Sequence, residues 1–177
     1  MQKIHLKRTK RINDGHLWVF SNELYENPKK YASGSIVELY DMKDAFIGIG
    51  YINPQSLISV RILTRDKEPV DKEFFSKRIK DALMLREKLL GARDAMRLIY
   101  SEGDFLPGLI ADKYKNCLVL QFLTAGIEAM KETIINLFKD SGRRIRLLSL
   151  RSQSPDHPIL LSMPETEYLK CAFLLVE

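Results

Sequence analysis

Cysteine is nearly missing from this chain: Cys117 and Cys171 are the only two in 177 residues, and they stand far apart without metal-ligand spacing. That pattern excludes a disulfide framework and a thiolate metal knuckle, and reduced cytosolic thiols are the expectation. Histidine is equally sparse, and His5, His16 and His157 make no metal constellation. No stretch approaches the roughly 20 consecutive apolar residues of a membrane span. The amino end is charged and lacks the apolar segment of a secretory leader. A cytoplasmic protein with no membrane partner is therefore expected. A glycine-rich phosphate or dinucleotide loop is also missing, because GIGYIN (residues 48–53) has neither the glycine spacing nor a following helix. Internal repeats and low-complexity segments are absent as well.

What is present is an ordinary soluble composition with a basic bias, a net charge of +5 and a pI near 9.1. Such a bias favours a polyanionic partner, although many cytosolic proteins share it. The length suits one domain or two small ones. Residues 35–41 (SIVELYD) alternate, DMKD supplies a turn, and AFIGIGYIN reads as a second strand. NPQS turns again into LISVRILTR, which completes a three-stranded meander. Gly48 and Gly50 leave one strand face bare, as close backbone packing at a curved barrel wall requires. The first ten residues supply a further strand.

The pattern then changes to a helix over residues 71–91, with Asp71 as N-cap and Gly91 as the stop. Phe75, Ile79, Ala82, Leu83 and Leu90 form its apolar stripe. MRLIYSEG, a hairpin turning around residues 114–116, and a second helix over residues 126–139 follow. The expected organisation is α+β: a β domain at 1–68, an α/β domain at 69–140, and an irregular tail at 141–177. The arginines of that tail leave a nucleic-acid arm open as the alternative to a poorly ordered terminus.

Chemistry concentrates near the amino end. Lys3, Lys7, Arg8, Lys10 and Arg11 form a basic arm suited to phosphate oxygens, and its two arginines can grip phosphate in bidentate fashion. On a strand Lys3 and Lys7 share a face, and Arg11 joins them only if the strand extends that far. A solvated edge strand guarded by lysines explains the same run equally well. GHLWVFSNEL (residues 15–24) adds Trp18, the chain's single tryptophan, with His16 and Phe20 on either side. Phe20 reads as core, His16 as a structural histidine, and Gly15 as a tight turn between the arm and a helix-like element. An aromatic corner beside cations suits RNA, which is bound by stacking as well as by charge. Arg61 and Arg65 complete a basic edge if the third meander strand lies beside the first. Glu102, Asp104 and Asp112 read as turn-shaping carboxylates rather than an acid–base pair, and Cys117 reads as core.

GHLWVFSNEL after a basic strand, GYINPQSLISVRILTRD, EGDFLPGLIADKY and TAGIE occur in that order, and together they resemble the SAM-dependent large-subunit rRNA cytosine-C5 methyltransferases. The resemblance runs over residues 3–139 and faintly again in MPETEYLKCAFLLVE. It implies an N-terminal PUA-like pseudo-barrel that binds RNA, then a small strand-strand-helix-strand-strand domain with a preceding helix. In the family a Rossmann-like domain then binds S-adenosylmethionine and carries the catalytic cysteine. This sequence shows no SAM-binding glycine motif and no proline-cysteine stretch, so no catalytic residue and no cofactor or metal site is assigned, and a truncated, non-catalytic chain is expected. Ribosomal RNA is the implied partner. Lys7, Arg8 and Arg11 are the implied phosphate contacts, His16 and Ser21 polar contacts, Trp18 a packing or stacking surface, and Arg61 and Arg65 flanking charges. Two alternatives stand beside this reading: a protein-interaction module that forms a homodimer, and a methyltransferase completed by a separately encoded catalytic half.

Overall fold

The computed structural model describes residues 1–140 and 146–151. Two compact units divide after Asp71, at the start of the long helix.

The first unit is a five-stranded sheet in the order β1-β3-β4-β5-β2. Its strands are β1 (Gln2–Leu6), β2 (Trp18–Phe20), β3 (Ile36–Asp41), β4 (Phe46–Ile52) and β5 (Ile58–Thr64), with a one-turn helix α1 (Lys10–Asn13) between β1 and β2. Alternation decides which side chains turn inward. Ile4 and Leu6 of β1, Val37 and Leu39 of β3, and Val60 and Ile62 of β5 meet in one core, together with Ile12 of α1 and Val19 of β2. The meander read from the sequence is β3-β4-β5. Asp41 builds the first turn by accepting the amides of Lys43 and Ala45, both at 2.8 Å. Asn53 builds the second by accepting the amide of Gln55 at 3.1 Å.

The sheet curls until its ends meet. Beyond β2 the chain returns along β1, where the Lys7 amide donates to the Glu23 carbonyl and the Tyr25 amide to the His5 carbonyl, each at 2.8 Å. Gly48 and Gly50 permit this curvature. A Cβ on Gly48 would lie 2.7 Å from the Thr64 carbonyl oxygen, and one on Gly50 would overlap the Arg61 carbonyl oxygen. The β3–β4 and β4–β5 registers both shift beside these glycines, so a bulge and a bare backbone bend the wall together.

At the amino end the further strand expected in the first ten residues is β1, but it ends at Leu6, so Arg11 does not join Lys3 and Lys7 on a strand face and lies on α1. The helix-like element expected after Gly15 is confined to the 3-10 turn Ser21–Glu23, because Trp18–Phe20 form β2. The helix precedes the glycine, and Gly15, at φ 104°, turns the chain out of α1. Ile12 explains the swap, since one buried residue per turn is enough to seat a short helix on the barrel, and Ile12 is fully buried.

The second unit holds α2 (Lys72–Leu90), β6 (Ala95–Tyr100), β7 (Leu109–Tyr114), β8 (Cys117–Phe122), α3 (Ala125–Ala129), α4 (Lys131–Asp140) and β9 (Arg146–Arg151). Its sheet runs β6-β7-β8-β9, antiparallel except for the parallel β8–β9 pair. Phe75, Ile79 and Ala82 of α2 are buried as the stripe predicts, but Leu90 is exposed in the last turn before Gly91. The second predicted helix is two, α3 and α4, broken at Met130. The reading of 141–177 as irregular is corrected at β9. RLLSLR lacks a period of two, yet a strand in parallel pairing carries an apolar run rather than an alternation. His157, Cys171 and the rest of that tail lie outside the described residues.

Candidate RNA interface

Three elements of the first unit, α1, β2 and β5, carry Arg11, Trp18 and Arg61. Strand β2 is the last strand of the sheet order, and β5 is its neighbour, with Trp18 directly opposite Arg61. Val19 turns into the core, so Trp18 and Phe20 on either side of it stay at the surface: Trp18 is 41% exposed and Phe20 half-buried. The Arg61 guanidinium lies 5.3 Å from the centre of the Trp18 ring, and the Arg11 guanidinium lies 4.9 Å from the centre of Phe20. Two cations thus sit beside two aromatic rings along one short strand, a geometry in which charge and ring quadrupole attract.

Glu23 organises Arg11, and sequence reasoning gave it no role. Its carboxylate is mostly buried and accepts the Phe20 amide at 2.8 Å and the Arg11 Nη1–H at 3.1 Å. A glutamate three residues past the end of a strand, at the third position of the helical turn Ser21–Glu23, is the available signal for such a contact. Arg8 is exposed, and among the described residues its side chain makes no hydrogen bond or ion pair; Lys7 is exposed while its amide closes the barrel.

Arg65 is placed differently. Strand β5 lies between β4 and β2, not beside β1, so the basic edge expected from a β1–β5 pairing does not form. The Arg65 Nη2–H instead donates to the Ile12 carbonyl at 2.6 Å and to the His16 carbonyl at 3.3 Å. It pins the α1–β2 turn. His16 is exposed within that turn, its amide bonded to the Arg11 carbonyl at 3.1 Å, and Ser21 is half-buried with its amide on the Leu57 carbonyl at 3.0 Å.

His5, on β1, is clamped by two acids. Its Nδ1 lies 2.6 Å from Glu26 Oε1 and its Nε2 3.0 Å from Asp44 Oδ1. The hydrogen bond to Glu26, then that to Asp44, raises the imidazole pKa above its usual value. The same contact lowers Asp44, and it lowers Glu26 against an opposing push from burial. Lys3 is drawn over the Tyr40 ring at 4.6 Å, on the β1 side of the sheet.

The carboxylates of the second unit are structural. Asp104 is buried, accepts both Arg86 Nη groups at 2.6 Å, and accepts the Tyr100 amide at 2.6 Å. Asp112 pairs with Arg97 across the β6–β7 register, at 2.8 and 3.0 Å, rather than shaping a turn. Glu102 meets the Ser101 hydroxyl. Cys117 is buried, as a core residue should be. Among the described residues no three His, Cys, Asp or Glu side chains could hold a metal, and no helix is long and apolar enough to cross a membrane. A groove of about 620 Å³ runs along α2, but Lys72, Lys77 and Lys80 alternate there with Glu73, Asp81 and Glu87, so its charges do not converge.

Residues 3–65 match the PUA-like domain family. Over 133 residues the chain is 41% identical to ribosomal RNA large subunit methyltransferase I of Photobacterium profundum, covering 72% of this chain and 33% of that protein. It is 33% identical over 159 residues to the protein of that name in Pseudoalteromonas atlantica, covering 88% of this chain and 37% of the relative. The chain therefore spans about a third of the length of these relatives. Among solved structures, a protein described as a SAM-dependent methyltransferase from Streptococcus mutans superimposes with a TM-score of 0.74 at 17% identity, covering 89% of this chain and 44% of that one. A second, described as a methyltransferase complexed with SAH, gives 0.76 at 18% identity, covering 90% and 46%. These two speak for the fold. Residues 3–65 are a PUA-like domain, and the resemblance drawn from the sequence motifs holds.

Proposed function

We propose that this chain is the RNA-contacting part of a SAM-dependent rRNA methyltransferase that modifies cytosine at C5 in the cytoplasm. The observation that carries the reading is the α1–β2–β5 surface of the PUA-like domain. There Arg11 and Arg61 flank exposed aromatic surface, while Lys7 and Arg8 stand in solvent just ahead of α1. Cations so placed meet phosphate oxygens, which supply affinity and position without reading sequence. Lys7, Arg8 and Arg11 take the phosphate contacts in this reading, and His16, Trp18 and Ser21 line the same edge. Arg61 flanks them, whereas Arg65 supports the turn that presents them. S-adenosylmethionine is the methyl donor of the proposed reaction. No glycine-rich strand-to-helix turn occurs in this sequence, so we assign the cofactor no residue here.

The test is an anisotropy titration of a labelled large-subunit rRNA fragment at several salt concentrations. The expected result is affinity that falls steeply with salt, by about 0.7 to 0.9 units of log K per phosphate contact for each unit of log salt. Salt-independent or undetectable binding overturns the reading. Calorimetric titration with S-adenosylmethionine is expected to give no heat, and heat would place a cofactor site on this chain. A second reading, a homodimer, draws on the exposed Leu85, Leu89 and Leu90 of α2 beside Tyr100. Sedimentation that shows a mass rising with concentration supports it.

A further inference from the structure

The phosphate contacts leave the aromatic rings without a task. Trp18 is a costly residue to keep 41% exposed when its neighbour Val19 is fully buried on the same strand. The exposure is also organised. Arg61, its directly opposed partner on β5, holds a guanidinium 5.3 Å from the ring centre, and Phe20 with Arg11 at 4.9 Å repeats the arrangement two residues further along. Arg61 is in turn a residue of the central sheet, paired on its other side with buried Tyr51, so the partner of the indole stands on a rigid element.

An aromatic ring beside a guanidinium offers a flat π surface and a fixed positive charge in one place. A nucleobase satisfies both, by stacking on the ring while its phosphate lies toward the cation. Bases locked in a continuous A-form duplex cannot do this, because their faces are covered by their neighbours and the major groove is too narrow for side chains. The geometry points to a stacking site for one unpaired RNA base, formed by Trp18 with Arg61. The inference rests on the RNA-binding reading above and adds the kind of RNA: a loop, bulge or single-stranded end rather than an uninterrupted helix. The site is indifferent to base identity, since every base has a π face. Phe20, half-buried under Arg11, closes the lower edge of the platform.

Trp18 is the chain's only tryptophan, so its own fluorescence reports the contact. The experiment titrates the protein with two RNAs of equal length at one salt concentration, a hairpin carrying unpaired nucleotides and a blunt, fully paired duplex. The hairpin is expected to quench the indole emission and to bind roughly 5- to 150-fold tighter, the range that stacking of a single base supplies. In anisotropy with labelled RNA, Trp18→Ala is expected to bring hairpin affinity down to the duplex value. Trp18→Phe, which keeps a ring on the edge strand, is expected to restore most of the preference and guards against a folding defect. Equal affinity for the two RNAs with unchanged emission overturns the stacking site while leaving RNA binding in place. So does a preference that survives in Trp18→Ala. Failure of both RNAs to bind removes the RNA-binding reading, and this inference with it.

Discussion

Arg8 and Arg11 carry the same charge three residues apart, yet replacing them should have different consequences. Arg11→Ala removes a guanidinium that is 40% exposed, bonded at 3.1 Å to a Glu23 carboxylate only 10% exposed, and placed over Phe20. The cation–π contact contributes about 0.5–1 kcal/mol at such a site. The ion pair, discounted for screening at the exposed end, contributes up to about 1 kcal/mol. Glu23 keeps the Phe20 amide as a partner, so its carboxylate is not orphaned. The sum is about 0.5–2 kcal/mol, or roughly 2–16 °C in the melting temperature of a unit of this size. Arg8→Ala breaks no such contact and should stay within about 0.5 kcal/mol. In RNA binding the two should behave alike. Each removes one phosphate contact, so between 50 and 200 mM salt each variant loses about threefold less affinity than the parent. Urea unfolding followed by Trp18 emission and anisotropy at the two salt concentrations separate the effects. An Arg11→Ala protein as stable as the parent refutes the Glu23 argument, and an Arg8→Ala protein with an unaltered salt slope refutes the phosphate contact.

Three further outcomes follow from the geometry. The His5 clamp makes the stability of the first unit depend on pH in both directions: the raised imidazole pKa stabilises below about pH 6.5 and loses its effect as pH rises through the folded value. The lowered Glu26 and Asp44 stabilise above the ordinary carboxylate range and lose their effect in acid, so stability should peak between the two limits. Thermal melts across that range check it, and Glu26→Gln should flatten the alkaline side. Gly50→Ala pushes a methyl group into the Arg61 carbonyl and to within 2.9 Å of Val60, and should cost about 1–3 kcal/mol in urea unfolding. Arg86→Ala strands Asp104 in the second unit with the Tyr100 amide as its one remaining partner. The expected loss is about 3–5 kcal/mol by far-UV circular dichroism, with Arg86→Lys a poor rescue because the fork is lost.

Strand β3 was legible because its burial alternates over its first four residues, whereas β4 and β5 were legible as short apolar runs bounded by turns. Val37 and Leu39 alternate with half-buried neighbours, and DMKD and NPQS carry side chains that bond their own turns. The long helix was legible because its burial is one-sided at a period of 3.6. Elements too short to show a period escaped. One turn of α1 rests on Ile12, and three residues of β2 rest on Val19, so neither offers a repeat to read. β9 escaped because parallel pairing removes the alternation. At the site, residue types pointed to the right neighbourhood, but partnerships depend on contacts distant in sequence. Nothing near Arg65 reveals that its guanidinium reaches back to Ile12, and nothing near His5 names Asp44.

That distinction changes how a basic surface should be counted. Of the arginines on the first unit, Arg65 gives its charge to two backbone carbonyls of the α1–β2 turn, and Arg11 shares its charge with Glu23. A tally of positive residues would credit both in full to a polyanion. The physical credit is smaller for Arg65, because a phosphate must compete with bonds that hold the turn. Arg8 has no such competitor among the described residues, and Arg61 is directed at a ring that a nucleic acid can share. Arg65 is thus spent on building the platform, and the binding energy should come chiefly from Lys7, Arg8, Arg11 and the Trp18–Arg61 pair. An Arg65→Ala protein accordingly should lose affinity only as far as its turn loosens, about 1.5–3 kcal/mol of charge-assisted hydrogen bonding in stability. Its salt slope should stay that of the parent. A slope reduced by a full phosphate contact, in a variant as stable as the parent, would return Arg65 to the interface and break the division between cations that bind and cations that hold.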